Sequence, residues 1–173
     1  MRNAALLSTR LVVGGYLAVH GAQKLFGAFG GSGLEKAGSG FERIGLRPGR
    51  HMAVAAGVTE LGGGVLTAAG IADPAGPLFI MGAMTVAATT HRAKGPLNSR
   101  GGFELPLTNL AAAATLAVVG PGKFRLGPAL PRPLAVAGTV GGGLLAAGLV
   151  AVMLTAKPAA SVPGPVPGNP KPA

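Results

Sequence analysis

The stretch from His51 to Ala72, HMAVAAGVTELGGGVLTAAGIA, decides the fold. A bilayer core about 30 Å thick needs roughly 20 residues of helix, and this run is long enough to cross it. Its one charged residue is Glu60, near the middle. The run from Ala4 to Gly21 repeats the pattern with Arg10 as its one charge. An ionised side chain at bilayer depth costs roughly 2.5–3.5 kcal/mol on insertion scales, and facing the protein interior with a partner lowers that cost. Two such residues of opposite sign in neighbouring apolar segments predict a buried Arg10–Glu60 ion pair. Counting about 1.5 Å per residue from the outer ends of antiparallel helices brings the two to similar depths. A pair of this kind either fixes the register of two helices or takes part in chemistry.

The composition agrees with a multi-span membrane protein. Of 173 residues, 49% are hydrophobic and 12% charged, where a soluble domain of this size carries about 25% charged residues. The mean hydropathy is +0.50. The 31 glycines suit close helix packing in lipid. With no cysteine there is no disulfide framework, CxxC redox pair, iron–sulfur ligation or covalent haem attachment. A net charge of +10 invites a nucleic-acid reading. It is set aside, because the basic residues lie almost entirely between apolar segments, where they fix membrane topology, and no aromatic-interleaved basic patch is present.

Five hydrophobic segments are expected to cross the membrane: Asn3 to Lys24, His51 to Ala72, Pro74 to Arg92, Leu105 to Gly120 and Pro133 to Ala156. The fourth is short and relies on Glu104 and Lys123 lying at the interfaces. Pro74, Pro106 and Pro133 stand near segment starts, where a missing N–H is harmless. Arg10 interrupts any signal-peptide core, so the first segment is read as a helix that stays. Residues 157–173, KPAASVPGPVPGNPKPA, read as a disordered Pro-rich tail. Loop basic residues are more numerous after the first and third segments and in the tail. This predicts an N-terminus outside and a C-terminus in the cytoplasm.

Several side chains are placed to carry chemistry. By the 100° rule Arg10, Gly14, Leu17, Gly21 and Lys24 form one helix stripe, which should face other helices. His20, Lys24, His51, His91 and Glu104 all stand at segment ends on the proposed cytoplasmic side. Histidine titrates near neutrality, so His20 and His91 with Glu104 form a candidate proton site beside a quinone headgroup. The plainer alternative is interfacial residues bonding loop backbone, the reading preferred for His51. Haem ligation by His20 and His91 has nothing to specify it, and no metal is expected. The stretch GAFGGSG lacks the GK[ST] of a phosphate loop and reads as a turn. Gly138, Gly142 and Ala146 form a small-xxx-small face for packing within the chain or with a partner.

The order of these pieces resembles the DoxX family of small bacterial integral membrane proteins. The pieces are RLVVGGYLAVHGAQKLFG, FERIGL, VTELGGGVLTAAG, THRAKG, GGFELPL and GPGKF, and they cover about residues 5 to 125. The resemblance implies an all-α membrane protein built on a four-helix bundle. It places Arg10, His20, Lys24, Glu60, His91 and Glu104 on motif positions, and it links the chain to quinone-dependent redox systems and redox defence complexes. The expected organisation is a four-helix bundle over 1–125, an extra transmembrane helix over 126–156 and the tail over 157–173. The fifth segment, the tail and the sequence RLGPALPRP after GPGKF depart from the family pattern and suggest docking to a partner.

The leading functional expectation is a membrane subunit of a quinone-linked redox system in the bacterial inner membrane. In it His20, His91 and Glu104 act on protons, and Arg10, Lys24 and Glu60 hold a quinone. The chain carries no redox centre of its own, so electrons would come from a partner or the substrate. The alternative is a non-catalytic accessory subunit that assembles a larger complex through the fifth helix and tail. A solute or proton carrier ranks third. The expected partners are membrane lipids and other membrane subunits.

Overall fold

A computed structural model describes residues 1–155. The described chain is helical and contains no strand. Six α-helices follow in order: α1 Arg2–Phe26, α2 Gly33–Arg43, α3 Gly49–Ala69, α4 Ala75–His91, α5 Glu104–Val119 and α6 Arg132–Thr155. Five of these coincide closely with the five apolar segments. The Pro-rich tail and the Ala146 side chain lie outside the described residues. One helix among those described, α3, is long and apolar enough to qualify as a membrane span, with a mean hydropathy of 1.4 over its best window. The apolar helix α5 is shorter, at 16 residues.

The helix α2 is a correction to the sequence reading, which treated the first connection as a loop. Leu34, Ala37 and Phe41 recur at helical spacing and are half-buried, while Glu35, Lys36, Ser39 and Glu42 are exposed. The stripe lies on α3. Gly38 makes that approach possible: a Cβ there would stand 3.1 Å from the Arg50 backbone.

Helices α1 and α3 run antiparallel and pack backbone to backbone. A Cβ on Gly14 would come 2.6 Å from the Ala68 nitrogen and the Gly64 oxygen, and one on Gly64 would come 2.5 Å from the Ala18 nitrogen. Only hydrogen at these positions lets the two backbones touch, the arrangement by which small residues gain dispersion energy between membrane helices. Arg10, Gly14, Leu17 and Gly21 are all buried, as the stripe requires. Helix α4 packs on α3, and both α5 and α6 pack on α4. The apolar core forms where α1, α4 and α5 meet, from Val13, Leu17, Ile80, Met84 and Ala113.

This packing overturns the predicted Arg10–Glu60 pair. Gly14 lies against Gly64 and Ala68, and Gly21 lies against Gly57 and Leu61. In that register Arg10 stands beside Gly70, about ten residues and about 15 Å along the helix from Glu60. The estimate from segment ends failed because the glycine contacts, not the outer ends, set the alignment. Each charge has found other partners.

Candidate functional site

Lys24, in the last turn of α1, reaches across to the middle of α3. Its Nζ lies 2.5 Å from Glu60 Oε2. The Glu60 side chain is 9% exposed and that of Lys24 is 25% exposed. Burial strengthens such a pair and makes loss of either member costly. The pair sits in the wall of a cleft of about 480 Å³. Helix α3 contributes Thr59 and Glu60, and α4 contributes Gly82, Val86, Thr90 and His91. Phe41, Ile44 and Leu46 come from α2 and the turn after it, and Gly142 comes from α6. The lining is overwhelmingly apolar, with a few converging polar groups, the usual make-up of a small-molecule site.

His91 has its ring fixed. Its Nδ1 lies 2.9 Å from Ala87 O and 3.2 Å from Thr90 Oγ1. The Thr90 hydroxyl in turn donates to Ala87 O at 2.9 Å. Thus three of the six expected site residues, Lys24, Glu60 and His91, share one cleft.

The other three lie elsewhere. His20 is exposed, its ring edge-on to Tyr16 with centroids 5.9 Å apart. Glu104 is exposed at the start of α5 and accepts from the Asn98 backbone N–H at 3.0 Å, closing the turn before its own helix. The expected convergence of His20, His91 and Glu104 is therefore not what the structure shows. All three stand at the same end of the bundle, but helix rotation sends them in different directions, which position along the chain does not encode.

Arg10 occupies the opposite end and is 3% exposed. Its guanidinium donates to Ala68 O at 3.2 Å, to Phe124 O at 2.7 Å and to Pro121 O. It thereby fastens the connection after α5 onto the end of α3. That connection runs alongside residues 69–73: Leu126 N–H donates to Ala69 O at 2.9 Å, Ala72 N–H to Pro128 O at 2.8 Å and Leu130 N–H to Asp73 O at 2.8 Å. Gly70, with φ of 67°, ends α3 and leaves room for the guanidinium, because a Cβ there would meet it at 2.8 Å. Arg10 is a clamp on backbone carbonyls.

Sequence reasoning passed over several residues. Asp73 lies near Arg10 and Arg125; burial pushes its carboxyl up, and the two arginines oppose that shift. Tyr16 donates its hydroxyl to Asn109 Oδ1, and Asn109 Nδ2 contacts Met84 Sδ at 3.7 Å. This buried polar bolt ties α1, α4 and α5 together. The piece FERIGL supplies Phe41, Ile44 and Leu46 to the cleft wall, a role the sequence reading did not give it. The helical spacing of Leu34, Ala37 and Phe41 was a second signal, in a segment short enough to pass for a loop.

No curated protein and no solved structure matches the chain. Residues 5–93, just over half of the chain, match the family model described as DoxX. The match spans α1 to α4, and so includes Lys24, Glu60 and His91 together with most of the cleft. The chain belongs to the DoxX family of membrane proteins.

Proposed function

We propose that the chain is a membrane subunit of a quinone-linked redox system and that the cleft holds a quinone headgroup beside Lys24, Glu60 and His91. The observation that carries this reading is the joining of a part-buried Lys24–Glu60 pair and a histidine in one apolar cleft of about 480 Å³. A flat apolar ring with polar oxygens fits such a lining. Lys24 donates to a ring oxygen, Glu60 holds Lys24 in place, and His91 stands ready to exchange a proton. Family membership supports the redox setting, since DoxX proteins are often linked to quinone-related systems. The electrons would arrive from a partner or from a substrate.

In this reading α1, α3, α4, α5 and α6 cross the bilayer of the bacterial inner membrane. Large apolar side chains exposed around the bundle, among them Leu11, Val58, Phe79, Leu107, Leu134 and Leu144, would face lipid. The end holding Lys24, His91 and α2 would face the cytoplasm, following the denser basic residues of its loops.

On the small-residue face of α6, a Cβ on Gly138 would meet Leu78 of α4 at 3.7 Å, while Gly142 lines the cleft with open space beside it. The test is extraction of the protein purified in mild detergent. Stoichiometric quinone is expected with the wild type and none with Gly82→Leu. Gly82 lines the cleft, and a Cβ there meets nothing within 4 Å, so the new side chain fills the cleft without disturbing the helix. Equal quinone content in both would contradict the reading.

A further inference from the structure

The hydrogen bonds around His91 determine which ring nitrogen carries the proton. A backbone carbonyl only accepts, so Nδ1 must donate in its 2.9 Å contact with Ala87 O. The contact with Thr90 requires the same. The Thr90 hydroxyl proton is directed at Ala87 O, which leaves Thr90 Oγ1 as an acceptor toward Nδ1. The neutral ring therefore has Nδ1–H and a bare Nε2. Nε2 lies on the far side of the ring from the helix carbonyl and has no hydrogen-bond partner among the described residues. His91 thus offers its cleft an acceptor.

Lys24 offers the reverse. An ammonium has three N–H groups and no lone pair, and one N–H is directed at Glu60 Oε2. The remaining two are donors. Thr59 and Thr90, the hydroxyls in the lining, donate to the carbonyls of Ala55 and Ala87 in their own helices. The cleft therefore presents a donor at Lys24, the Glu60 carboxylate that holds it, and a separate neutral acceptor at His91.

Resting on the quinone reading above, we infer that His91 is a specificity-determining residue that selects the hydroxyl-bearing, reduced form of the ligand. An oxidised quinone has carbonyl oxygens only and satisfies Lys24 while leaving His91 Nε2 unpaired against another acceptor. A quinol accepts from Lys24 with one oxygen and donates its other hydroxyl to His91 Nε2. A site that pairs a hydroxyl rejects the analogue that lacks it, because the bound ligand covers Nε2 without bonding it.

The test uses the full chain in detergent micelles under anaerobic conditions. The probes are a short-chain benzoquinone, its quinol and the dimethyl ether of that quinol, each followed by equilibrium dialysis. The quinol is expected to bind about tenfold tighter than the quinone or the ether, a difference of one hydrogen bond. His91→Phe should abolish the preference while quinone binding persists. His91→Gln, whose amide oxygen can accept, should restore part of it and guards against a fold effect. Equal binding of quinol and ether by the wild type, or a preference unchanged in His91→Phe, overturns the role of His91 but leaves the quinone site standing. Failure of all three probes to bind overturns both.

Discussion

Lys24 Nζ and Glu60 Oε2 are 2.5 Å apart, joining the end of α1 to the middle of α3 inside the apolar wall of the cleft. Removing one partner of a fully buried pair costs about 3–5 kcal/mol. With Lys24 a quarter exposed, the cost of Lys24→Met or Glu60→Gln should fall to about 2 kcal/mol, since solvent screens part of the charge. The double variant Lys24→Met/Glu60→Gln should be more stable than Glu60 left ionised opposite a methionine. Thermal unfolding in detergent decides this. A double variant less stable than both singles would show that the pair does not act as a unit.

Arg10 and Glu60 belong to separate networks, so their effects should be independent. Arg10→Met combined with Glu60→Gln should destabilise by the sum of the two singles within about 0.5 kcal/mol. A coupling above about 1 kcal/mol would indicate contact between them after all.

The clamp at Arg10 makes a local prediction. Lysine cannot reproduce a fork that reaches three carbonyls. Arg10→Lys should cost about 2–3 kcal/mol, on the scale of charged hydrogen bonds. Hydrogen exchange should quicken at the amides of Leu126 and Leu130, which pair with Ala69 and Asp73. Unchanged protection at these amides would mean that the guanidinium does not hold the connection.

The α1–α3 contact is tested by two glycines on one helix. Gly64→Ala places a methyl group 2.5 Å from backbone atoms of α1, and overpacking of this kind costs about 1–3 kcal/mol. Gly62, where a Cβ meets nothing within 4 Å, should tolerate alanine or gain up to about 1 kcal/mol from helix propensity. Thermal denaturation of the two variants should give shifts of opposite sign or a clear difference in size; equal shifts would contradict the close approach.

Asp73 gives a pH dependence. Burial raises its folded-state value above the ordinary one, against the opposing Arg10 and Arg125. The ionised carboxylate therefore disfavours the folded state above its folded value, and this penalty disappears below the unfolded value of about 3.9. Asp73→Asn should be more stable than the wild type at neutral pH, with the advantage closing as the pH falls toward about 4. An advantage that grows on acidification would reverse the sign of the argument.

The bundle was legible because its causes are local in sequence. Apolar run length located α1, α3, α4, α5 and α6, and the Arg10–Gly14–Leu17–Gly21 stripe named the buried face of α1. Pairing across helices was not legible to the same depth. Counting from segment ends aligned Arg10 with Glu60, whereas backbone contact at Gly14, Gly21, Gly57 and Gly64 slides α3 so that Lys24 reaches Glu60 instead. A stripe of glycines announces close approach but not which glycine meets which. His20, His91 and Glu104 shared a level in the sequence, but rotation about each helix axis placed His91 in the cleft and the other two outside it. Asp73 was passed over because it stands in a turn beside a proline, and its relation to Arg10 depends on the path of a connection some fifty residues away in sequence.

Photo-crosslinking with an azido-quinone locates the bound headgroup. Labelling is expected in the segments that line the cleft, around Phe41 to Leu46 and Val86 to His91, with competition by unlabelled quinone and loss in Gly82→Leu. Labelling confined to the exposed side of α6 around Leu134 and Val140, or labelling that Gly82→Leu leaves unchanged, would contradict it.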